Sequence, residues 1–301
     1  MSTNGWLEDA FSLLVSEATD NNLTDFPGVS IFGRPIMGVA AGEDEIFEVF
    51  RSVVGPRHLQ PRDVLRNQSP AQASPCALRV VSWALPFSPE IRSSNRGREW
   101  PSELYSVARN NGAALIHDAL SGIVQIIHEK GFAAVAPAQT DEYDAFRSPE
   151  STFSSTWSER HVAYAAGLGR FGLNGCLMTP LGTSVRLTSL VTDLPLNVMV
   201  KNRACYQAHC LEDGGEDCGL CLERCPVRAI SEVGLDKFRC YERRQAIRKN
   251  LIEPYRKKFH LRPSPIIKSG RRESGFSLGC ALCMSAVPCE SAIYPAEKNT
   301  R

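Results

Sequence analysis

The chain has 301 residues, and its 34 lysines and arginines nearly balance its 33 aspartates and glutamates. This length allows one large domain or two smaller ones, and the near-zero net charge gives no overall field that would attract nucleic acid or a membrane. The first ten residues contain Glu8 and Asp9 and lack the pattern of a signal peptide, and no stretch of the sequence is apolar enough to span a membrane. We therefore expect a cytoplasmic protein with no membrane partner.

Helix-like and strand-like patterns alternate through the first 200 residues. Apolar residues at helical spacing predict an amphipathic helix at the start of the chain and a longer one that Gly131 ends as a C-cap. Apolar runs closed by prolines predict short buried strands. The predicted helices cover residues 6–18, 43–54 and 105–130, and the predicted strands cover residues 77–85, 132–135 and 186–191. Strands separated by helices predict an α/β or α+β layer fold for residues 1–200, of which we expect α+β.

Eleven cysteines are many for a protein expected in a reducing compartment, and their distribution is uneven. Only Cys76 and Cys176 lie in the first 200 residues, and the other nine lie between Cys205 and Cys289. The later part of the chain is also rich in glycine and charge, so it could hardly form a large apolar core. Clustered cysteines in such a segment indicate bound metal that helps to hold it together. We predict a second domain at residues 201–301.

The clearest motif is Cys218-x2-Cys221-x3-Cys225-Pro, which is part of the cysteine run of bacterial ferredoxins. In that run the closely spaced thiolates bind one [4Fe–4S] cluster, and the cysteine before the proline binds a second cluster. The usual further cysteine, three residues before Cys218, is absent, and Cys210 could replace it across a glycine-containing loop. The motif therefore predicts a site for iron–sulfur clusters.

A second run consists of Cys280 and Cys283, followed by Val287, a proline and Cys289. Valine stands where the ferredoxin run has its cysteine before the proline, so Cys289 is displaced by two residues and Cys205 is its competitor as a ligand. The predicted first cysteine set is Cys210, Cys218, Cys221 and Cys289, and the predicted second cysteine set is Cys225, Cys240, Cys280 and Cys283. Each set supplies the four thiolates that one [4Fe–4S] cluster needs. A zinc site and a disulfide-bonded knot are the alternatives.

Sequence blocks before the cysteines resemble the epoxyqueuosine reductase family. Residues 159–172 read E-x3-A-x3-G-L-G-x2-G, residues 192–196 read T-D-L-P-L, and residues 80–86 and 96–100 are similar to a strand and an R-G-R-aromatic segment of that family. The resemblance covers roughly residues 75 to 290. It implies a nitroreductase-like, corrinoid-binding α/β sandwich domain, related to reductive dehalogenases, followed by a two-cluster ferredoxin-like domain. It also implies that two [4Fe–4S] clusters pass single electrons to cobalamin.

The resemblance marks residues of the first domain as candidates for a corrinoid site. The glycines let backbone approach a large planar cofactor, although they equally suit a helix terminus and a turn. The cofactor-binding candidates are Gly167, Gly169, Arg170, Phe171, Gly172 and Cys176. The presumed proton donor of the family is an aspartate whose position is Phe153 here, and phenylalanine cannot deliver a proton. Other candidates for that role, each of which also suits a structural one, are Glu159, His161, Tyr105 and Tyr164.

Residues 237–272 carry thirteen lysines and arginines against two acids. Such a segment can bind transfer RNA, but it can equally dock an acidic electron donor or offset the charge of anionic clusters. We expect reduced ferredoxin or flavodoxin as the electron donor and do not favour transfer RNA. The sequence thus predicts a corrinoid and iron–sulfur reductase. The alternatives are an electron-transfer protein without corrinoid and a transfer-RNA epoxyqueuosine reductase with a relocated acid.

Overall fold

The computed structural model of the chain describes five segments, residues 4–68, 78–148, 152–199, 218–268 and 271–291. The predicted domain boundary near residue 200 lies outside the described residues, and so do Cys76, Cys205 and Cys210. No helix within the described segments is long and apolar enough to cross a membrane.

Helices and strands alternate along most of the described chain. The helices are α1 (Gly5–Ser16), α2 (Ile46–Val53), α3 (Pro61–Gln68), α4 (Pro89–Ser94), α5 (Glu103–Glu129), α6 (Glu159–Ala165), α7 (Leu220–Arg224) and α8 (Lys237–Lys258). The strands are β1 (Ile36–Ala41), β2 (Arg79–Pro86), β3 (Ala134–Val135), β4 (Ala145–Ser148), β5 (Thr152–Ser155), β6 (Arg170–Phe171), β7 (Leu177–Met178), β8 (Val185–Thr192), β9 (Ile230–Ser231), β10 (Gly234–Leu235), β11 (Ser264–Lys268) and β12 (Arg271–Gly275).

An antiparallel sheet with the strand order β1-β2-β8-β3 forms the centre of residues 4–199, which the sequence predicts as the first domain. Side chains alternate between the two faces of β2, so Trp83 packs into one core, where it stacks on Phe11 at 4.3 Å, and Ala84 packs into the other core. Helices α1, α4 and α5 cover the first face, and α2, α3 and α6 cover the second. This arrangement confirms the predicted α+β fold of the first domain.

The most strongly periodic elements, α1, α5, β2 and β8, lie within a few residues of their predicted bounds. Helix α5 begins earlier than predicted, because the Ser102 hydroxyl caps it by accepting a hydrogen bond from the Tyr105 N–H at 3.0 Å. Sequence analysis predicts no strand at β1, since Gly38 interrupts the apolar pattern. Glycine is required there because a Cβ would lie 2.4 Å from the carbonyl oxygen of Ala166.

The described residues from 218 onward have only two small apolar clusters, as predicted for this part of the chain, but they include the long helix α8 among otherwise short elements. Asp236 caps α8, because its carboxylate accepts hydrogen bonds from the N–H groups of Phe238 and Arg239 at 2.9 and 3.0 Å. At the other end of α8, Lys258 pairs with Glu103 of α5 at 2.7 Å. Helix α8 is therefore attached to the first domain, and the ferredoxin-like organisation of this region stays a prediction.

Candidate metal centre

The two cysteine runs begin with the same backbone turn. The residue after the first cysteine is left-handed in both runs, with φ of 50° at Gly219 and 52° at Ala281. In the first run the N–H of Leu222 donates to the Gly219 carbonyl at 2.9 Å, and in the second run the N–H of Met284 donates to the Ala281 carbonyl at 3.0 Å. Alanine is disfavoured at such a φ, so the second run keeps this turn against a steric cost.

The repeat extends to the proline that follows each run. The N–H of Arg228 donates to the Cys225 carbonyl at 3.0 Å, and the N–H of Glu290 donates to the Val287 carbonyl at the same distance. Residues 218–228 and 280–290 therefore form a structural repeat in which Val287 corresponds to Cys225. The second repeat lacks a thiol at that place, as expected from the sequence.

The four thiols of the second cysteine set face one another. Burial raises the pKa of the Cys240 thiol, and the nearby thiols of Cys176, Cys280 and Cys225 raise it further. A hydrogen bond with the Cys176 thiol raises the pKa of Cys283 well above its ordinary value, and burial, Cys280 and Cys240 add to this increase. The structure thus brings the predicted second set together and adds Cys176 as a fifth thiol.

These thiols belong to half-buried residues, since Cys176, Cys225, Cys240, Cys280 and Cys283 are all intermediate in exposure. Within the described segments, no three His, Cys, Asp or Glu side chains converge as ligands of a single metal ion. Zinc would draw four thiolates to about 2.3 Å of one point, whereas a [4Fe–4S] cluster binds each thiolate at a different iron and needs a larger space. Because the described thiols do not converge on one point, their all-sulfur donor set fits the cluster better than zinc.

Cys289 of the first cysteine set is held by a loop of the first domain. The N–H of Thr183 donates to the Cys289 carbonyl at 2.8 Å, and its hydroxyl lies 3.9 Å from the Cys289 sulfur. Gly182 allows this approach, since a Cβ there would lie 2.3 Å from the Glu290 carbonyl oxygen. Cys289 and Cys221 pack in the same apolar cluster. Cys210 of this set, and Cys205, the competitor of Cys289, lie outside the described residues.

Arg224 joins both cysteine repeats to the first domain. Its guanidinium is buried and donates to five backbone carbonyls, those of Leu282 (3.3 Å), Ser285 (2.8 Å), Arg96 (3.2 Å), Asn95 (3.4 Å) and Gly97 (2.8 Å). Burial lowers its pKa, and the Glu290 carboxylate opposes that effect. Sequence analysis missed Arg224, because nothing local in a cysteine motif indicates which distant carbonyls an arginine will reach.

Cys176 contacts the cysteine region rather than an open surface. Asn174 fixes it there, since the Asn174 amide accepts from the Cys176 N–H at 3.0 Å and donates to the Cys283 carbonyl at 3.3 Å. The hydrogen bond with Cys283 lowers the pKa of the Cys176 thiol. The contact between Cys176 and Cys283 is thus a junction between the first domain and the second cysteine set.

The glycines predicted to approach a cofactor have roles within the fold. Gly167 (φ 73°) ends α6, where its N–H donates to the Tyr164 carbonyl at 2.9 Å and the N–H of Leu168 donates to the Ala163 carbonyl at 2.8 Å. Gly169 packs against β7, and a Cβ there would lie 2.1 Å from a backbone carbonyl oxygen. These are the helix terminus and the close turn that the sequence also allowed.

The remaining corrinoid candidates belong to the β6–β7 hairpin. The N–H of Gly172 donates to the Cys176 carbonyl at 2.9 Å and closes the hairpin, of which Arg170 is the first residue. The Phe171 ring packs on His161, with ring centroids 4.8 Å apart. The described contacts of these residues are with protein and do not identify a corrinoid surface, so corrinoid binding stays a prediction.

Glu159 is a buried acid in the core of the first domain. Its Oε2 accepts a hydrogen bond from the Ser189 hydroxyl at 2.6 Å, and that hydroxyl accepts from the Trp157 indole N–H at 2.9 Å. Its Oε1 has no hydrogen-bond partner in the described part of the chain. Burial raises the pKa of Glu159 to about 8, so the carboxyl group is mostly protonated at neutral pH.

His161 and His58 share Ser158 as a hydrogen-bond partner. The Ser158 hydroxyl lies 2.7 Å from Nδ1 of His161, and its N–H donates to Nε2 of His58 at 3.3 Å. His58 therefore carries its proton on Nδ1, which donates to the Leu59 carbonyl at 3.0 Å. Burial lowers the pKa of His161 to about 3 and that of His58 to about 4. Both rings are neutral, and sequence analysis missed His58 because it belongs to no motif.

Tyr105 lies near thiols of the cysteine region, whereas Phe153 contacts α8. Burial raises the pKa of Tyr105 to about 12, and the nearby thiols of Cys280 and Cys176 contribute to this shift. Phe153, at the position of the expected acid, stacks on Tyr241 of α8 with ring centroids 4.0 Å apart. Phe153 thus docks the β4–β5 hairpin on α8.

Comparisons with known proteins found structural similarity only. No protein-family model matches the sequence, and no curated protein matches it. The epoxyqueuosine reductase from Bacillus subtilis is similar, with 16% identity and a TM-score of 0.47 over 95% of this chain and 67% of that one. The enzyme from Streptococcus thermophilus has 15% identity and a TM-score of 0.48 over 94% and 67% of the two chains.

A reductive dehalogenase is also among the similar structures. NpRdhA in complex with 3-bromo-4-hydroxybenzoic acid has 15% identity and a TM-score of 0.44 over 79% of this chain and 33% of that one. The present chain thus spans about a third of the dehalogenase. Epoxyqueuosine reductases, the family that the sequence blocks resemble, are thus among the similar solved structures.

Replacing Arg224 with methionine should lower the free energy of unfolding by about 2–4 kcal/mol, because several buried carbonyls lose their donor. The exposed Arg228 is the matched control, and Arg228→Met should change stability by less than about 0.5 kcal/mol. Anaerobic urea denaturation of the three proteins measures both values. Equal effects of the two substitutions would contradict the role of Arg224.

Glu159→Gln should remove a pH dependence of stability. The folded-state pKa of about 8 lies above the ordinary value of 4.5, so stability falls as pH rises from 4.5 to 8, by up to about 1.4 kcal/mol per pH unit. Glutamine keeps the hydrogen bond from Ser189 without a charge, so the variant should be the more stable protein at pH 8. Thermal unfolding at pH 5 and pH 8 measures this, with exposed Glu17→Gln as the control. Parallel pH profiles of wild type and Glu159→Gln would contradict it.

Gly169→Ala should destabilise the protein by about 1–3 kcal/mol, because the added Cβ meets the Met178 carbonyl. Gly33→Ala is the matched control, since its Cβ would lie at an ordinary 3.5 Å from Pro86 and should change stability little. Thermal unfolding without added cofactor compares them. An unaffected Gly169→Ala protein would instead indicate that this glycine serves only a bound cofactor.

Proposed function

We propose that the chain is an iron–sulfur oxidoreductase in which the first and second cysteine sets each hold a [4Fe–4S] cluster. The observation that carries this proposal is the structural repeat of residues 218–228 and 280–290, with a C-x2-C turn at the start of each half. Fe–S clusters of this kind supply one-electron transfer. The chain's own residues position the thiols and exclude water.

The proposed ligand sets cross between the two repeats. Cys225 follows the first pair of thiols but interacts with Cys240 and Cys280, as the cysteine before the proline does in a two-cluster ferredoxin. The N–H of Ala229 donates to the Cys225 sulfur at 3.2 Å, which suits a thiolate that carries negative charge. Arg224 keeps the two repeats in register.

Electrons would leave the cysteine region for the first domain. Cys176 contacts Cys283 there, and Tyr105 lies beside the same thiols. The sequence resemblance adds a corrinoid as the electron acceptor and a reductase activity. The contacts of the G-L-G block do not identify where a corrinoid would bind, so no step is assigned to it.

An electron-transfer protein without corrinoid is the second candidate function. Phe153 favours it, because the position of the family's presumed proton donor is here an aromatic ring that stacks on Tyr241. Transfer RNA is less favoured, although a similar solved structure is an epoxyqueuosine reductase with a transfer-RNA stem loop. Part of the basic segment is paired with carboxylates of the described residues, as with Lys258 on Glu103 and Arg262 on Asp118.

Anaerobic reconstitution of the full chain tests the proposal. Two clusters require about eight irons and eight sulfides per chain, and these are measured together with zinc and bound cobalamin. Full iron with one corrinoid supports the reductase, and full iron without corrinoid affinity supports the electron-transfer protein. Zinc in place of iron contradicts both.

Cysteine variants test the ligand sets. Cys225→Ala should lose the second cluster and Cys289→Ala the first, which leaves about four irons in each protein. Cys176→Ala is the matched control, since Cys176 belongs to neither set, and it should retain all its iron. Unchanged iron in Cys289→Ala would assign that place to Cys205.

A further inference from the structure

Cys176 is the one thiol of the described chain that neither cysteine set uses. It lies in the turn of the β6–β7 hairpin of the first domain, before both cysteine runs. Cys176 belongs to none of the apolar clusters of the described residues, so packing does not account for its position. The second cysteine set, by contrast, lies wholly within the described residues and has Cys176 beside it.

The hairpin fixes the backbone of Cys176 without help from the cysteine region. Its carbonyl accepts from the N–H of Gly172 at 2.9 Å, and its N–H donates to the side-chain oxygen of Asn174 at 3.0 Å. Gly175, with a φ of 66°, makes the sharp turn before it. The thiol itself is held weakly within the hairpin, since its sulfur lies 3.9 Å from the Asn174 carbonyl oxygen.

Asn174 also binds the Cys283 backbone and so holds the two cysteines side by side. Its buried side-chain amide donates to the Cys283 carbonyl at 3.3 Å, while the oxygen of the same amide accepts from Cys176. The thiols of Cys176 and Cys283 form a hydrogen bond with each other. A thiol of the first domain is thus kept next to one particular cysteine of the second set.

Cys176 approaches the second set at Cys283 rather than at Cys225. No hydrogen bond within the described segments joins Cys176 to Cys225. The Cys225 sulfur instead accepts from the N–H of Ala229 at 3.2 Å. Of these two ligand positions, Cys176 is therefore placed to occupy that of Cys283.

The chemistry of the cluster gives such a neighbour a role. A [4Fe–4S] cluster binds one thiolate at each of its four irons, so the loss of one cysteine leaves one iron open. A thiol within reach can bind the open iron as a thiolate, and its proton is released on binding. The second set has four thiols for four irons, and Cys176 is a fifth.

We infer that Cys176 is a reserve ligand of the second cysteine set, which binds the open iron when Cys283 is lost. The iron gains a bond to the Cys176 sulfur, the thiol proton passes to solvent, and no electron is transferred. While Cys283 is present it keeps this iron, and Cys176 stays an unligated thiol beside it. The inference rests on the proposed function.

Anaerobic reconstitution of the full chain tests the inference with Cys283→Ala, Cys225→Ala and the double variant Cys176→Ala/Cys283→Ala. Iron and sulfide contents count the clusters, and electron paramagnetic resonance of the dithionite-reduced proteins checks that count. Cys283→Ala should retain the iron content of the wild type, because Cys176 replaces the missing thiolate. The matched Cys225→Ala and the double variant should each lose about four irons.

Iron release to a chelator provides a second measurement that keeps Cys283 in place, so that poor folding of Cys283→Ala does not decide the result. Cys176→Ala should release iron faster than the wild type, because no thiol rebinds an iron that Cys283 leaves. Cys176→Ser, which is close in size to cysteine but lacks the thiol, should behave like Cys176→Ala.

Two iron contents would overturn the inference, the loss of about four irons from a folded Cys283→Ala protein and full iron in the double variant. Equal release rates of the wild type and Cys176→Ala would also overturn it. Absence of iron from the wild type would instead contradict the proposed function.

Discussion

The buried guanidinium of Arg224 is the contact on which the arrangement of the cysteine region depends. This region has little apolar core, so its repeats cannot be held by packing alone. One cation joins the turn after Cys283 to the loop that precedes α5 in the first domain. Since every acceptor is a backbone carbonyl, the contact fixes the path of the chain. Because Arg224 holds the turn after Cys283, it also keeps Cys283 beside Cys176.

The charge of the chain is organised locally, although its net value is near zero. Residues 237–272 read as a basic surface, but their side chains have separate roles in the structure. Arg243 and Arg244 face thiols, whereas Lys258 and Arg262 bind carboxylates of the first domain. A basic stretch that serves as an internal counter-charge leaves fewer cations for an external polyanion. Sequence composition cannot separate these roles, because they depend on which helix face each residue occupies.

The sequence predicts those features that depend on local spacing. Continuous apolar runs indicate β2 and β8, and an apolar pattern of period 3.6 indicates α5, because these elements must be buried against a core. The spacing of Cys218 and Cys221 is likewise local, since one turn brings these two cysteines close together. The contacts of Arg224 and of Cys176 join residues more than fifty positions apart, and no local pattern encodes them.

The first domain provides few groups that could deliver a proton. Phe153 replaces the expected acid and is occupied by its stacking on Tyr241. Tyr105 lies nearest the thiols, but a pKa of about 12 makes it a weak acid at neutral pH. Glu159 is protonated and has a suitable pKa of about 8, yet its hydrogen bonds point to Ser189 and the core. The described residues are therefore better suited to move electrons than protons.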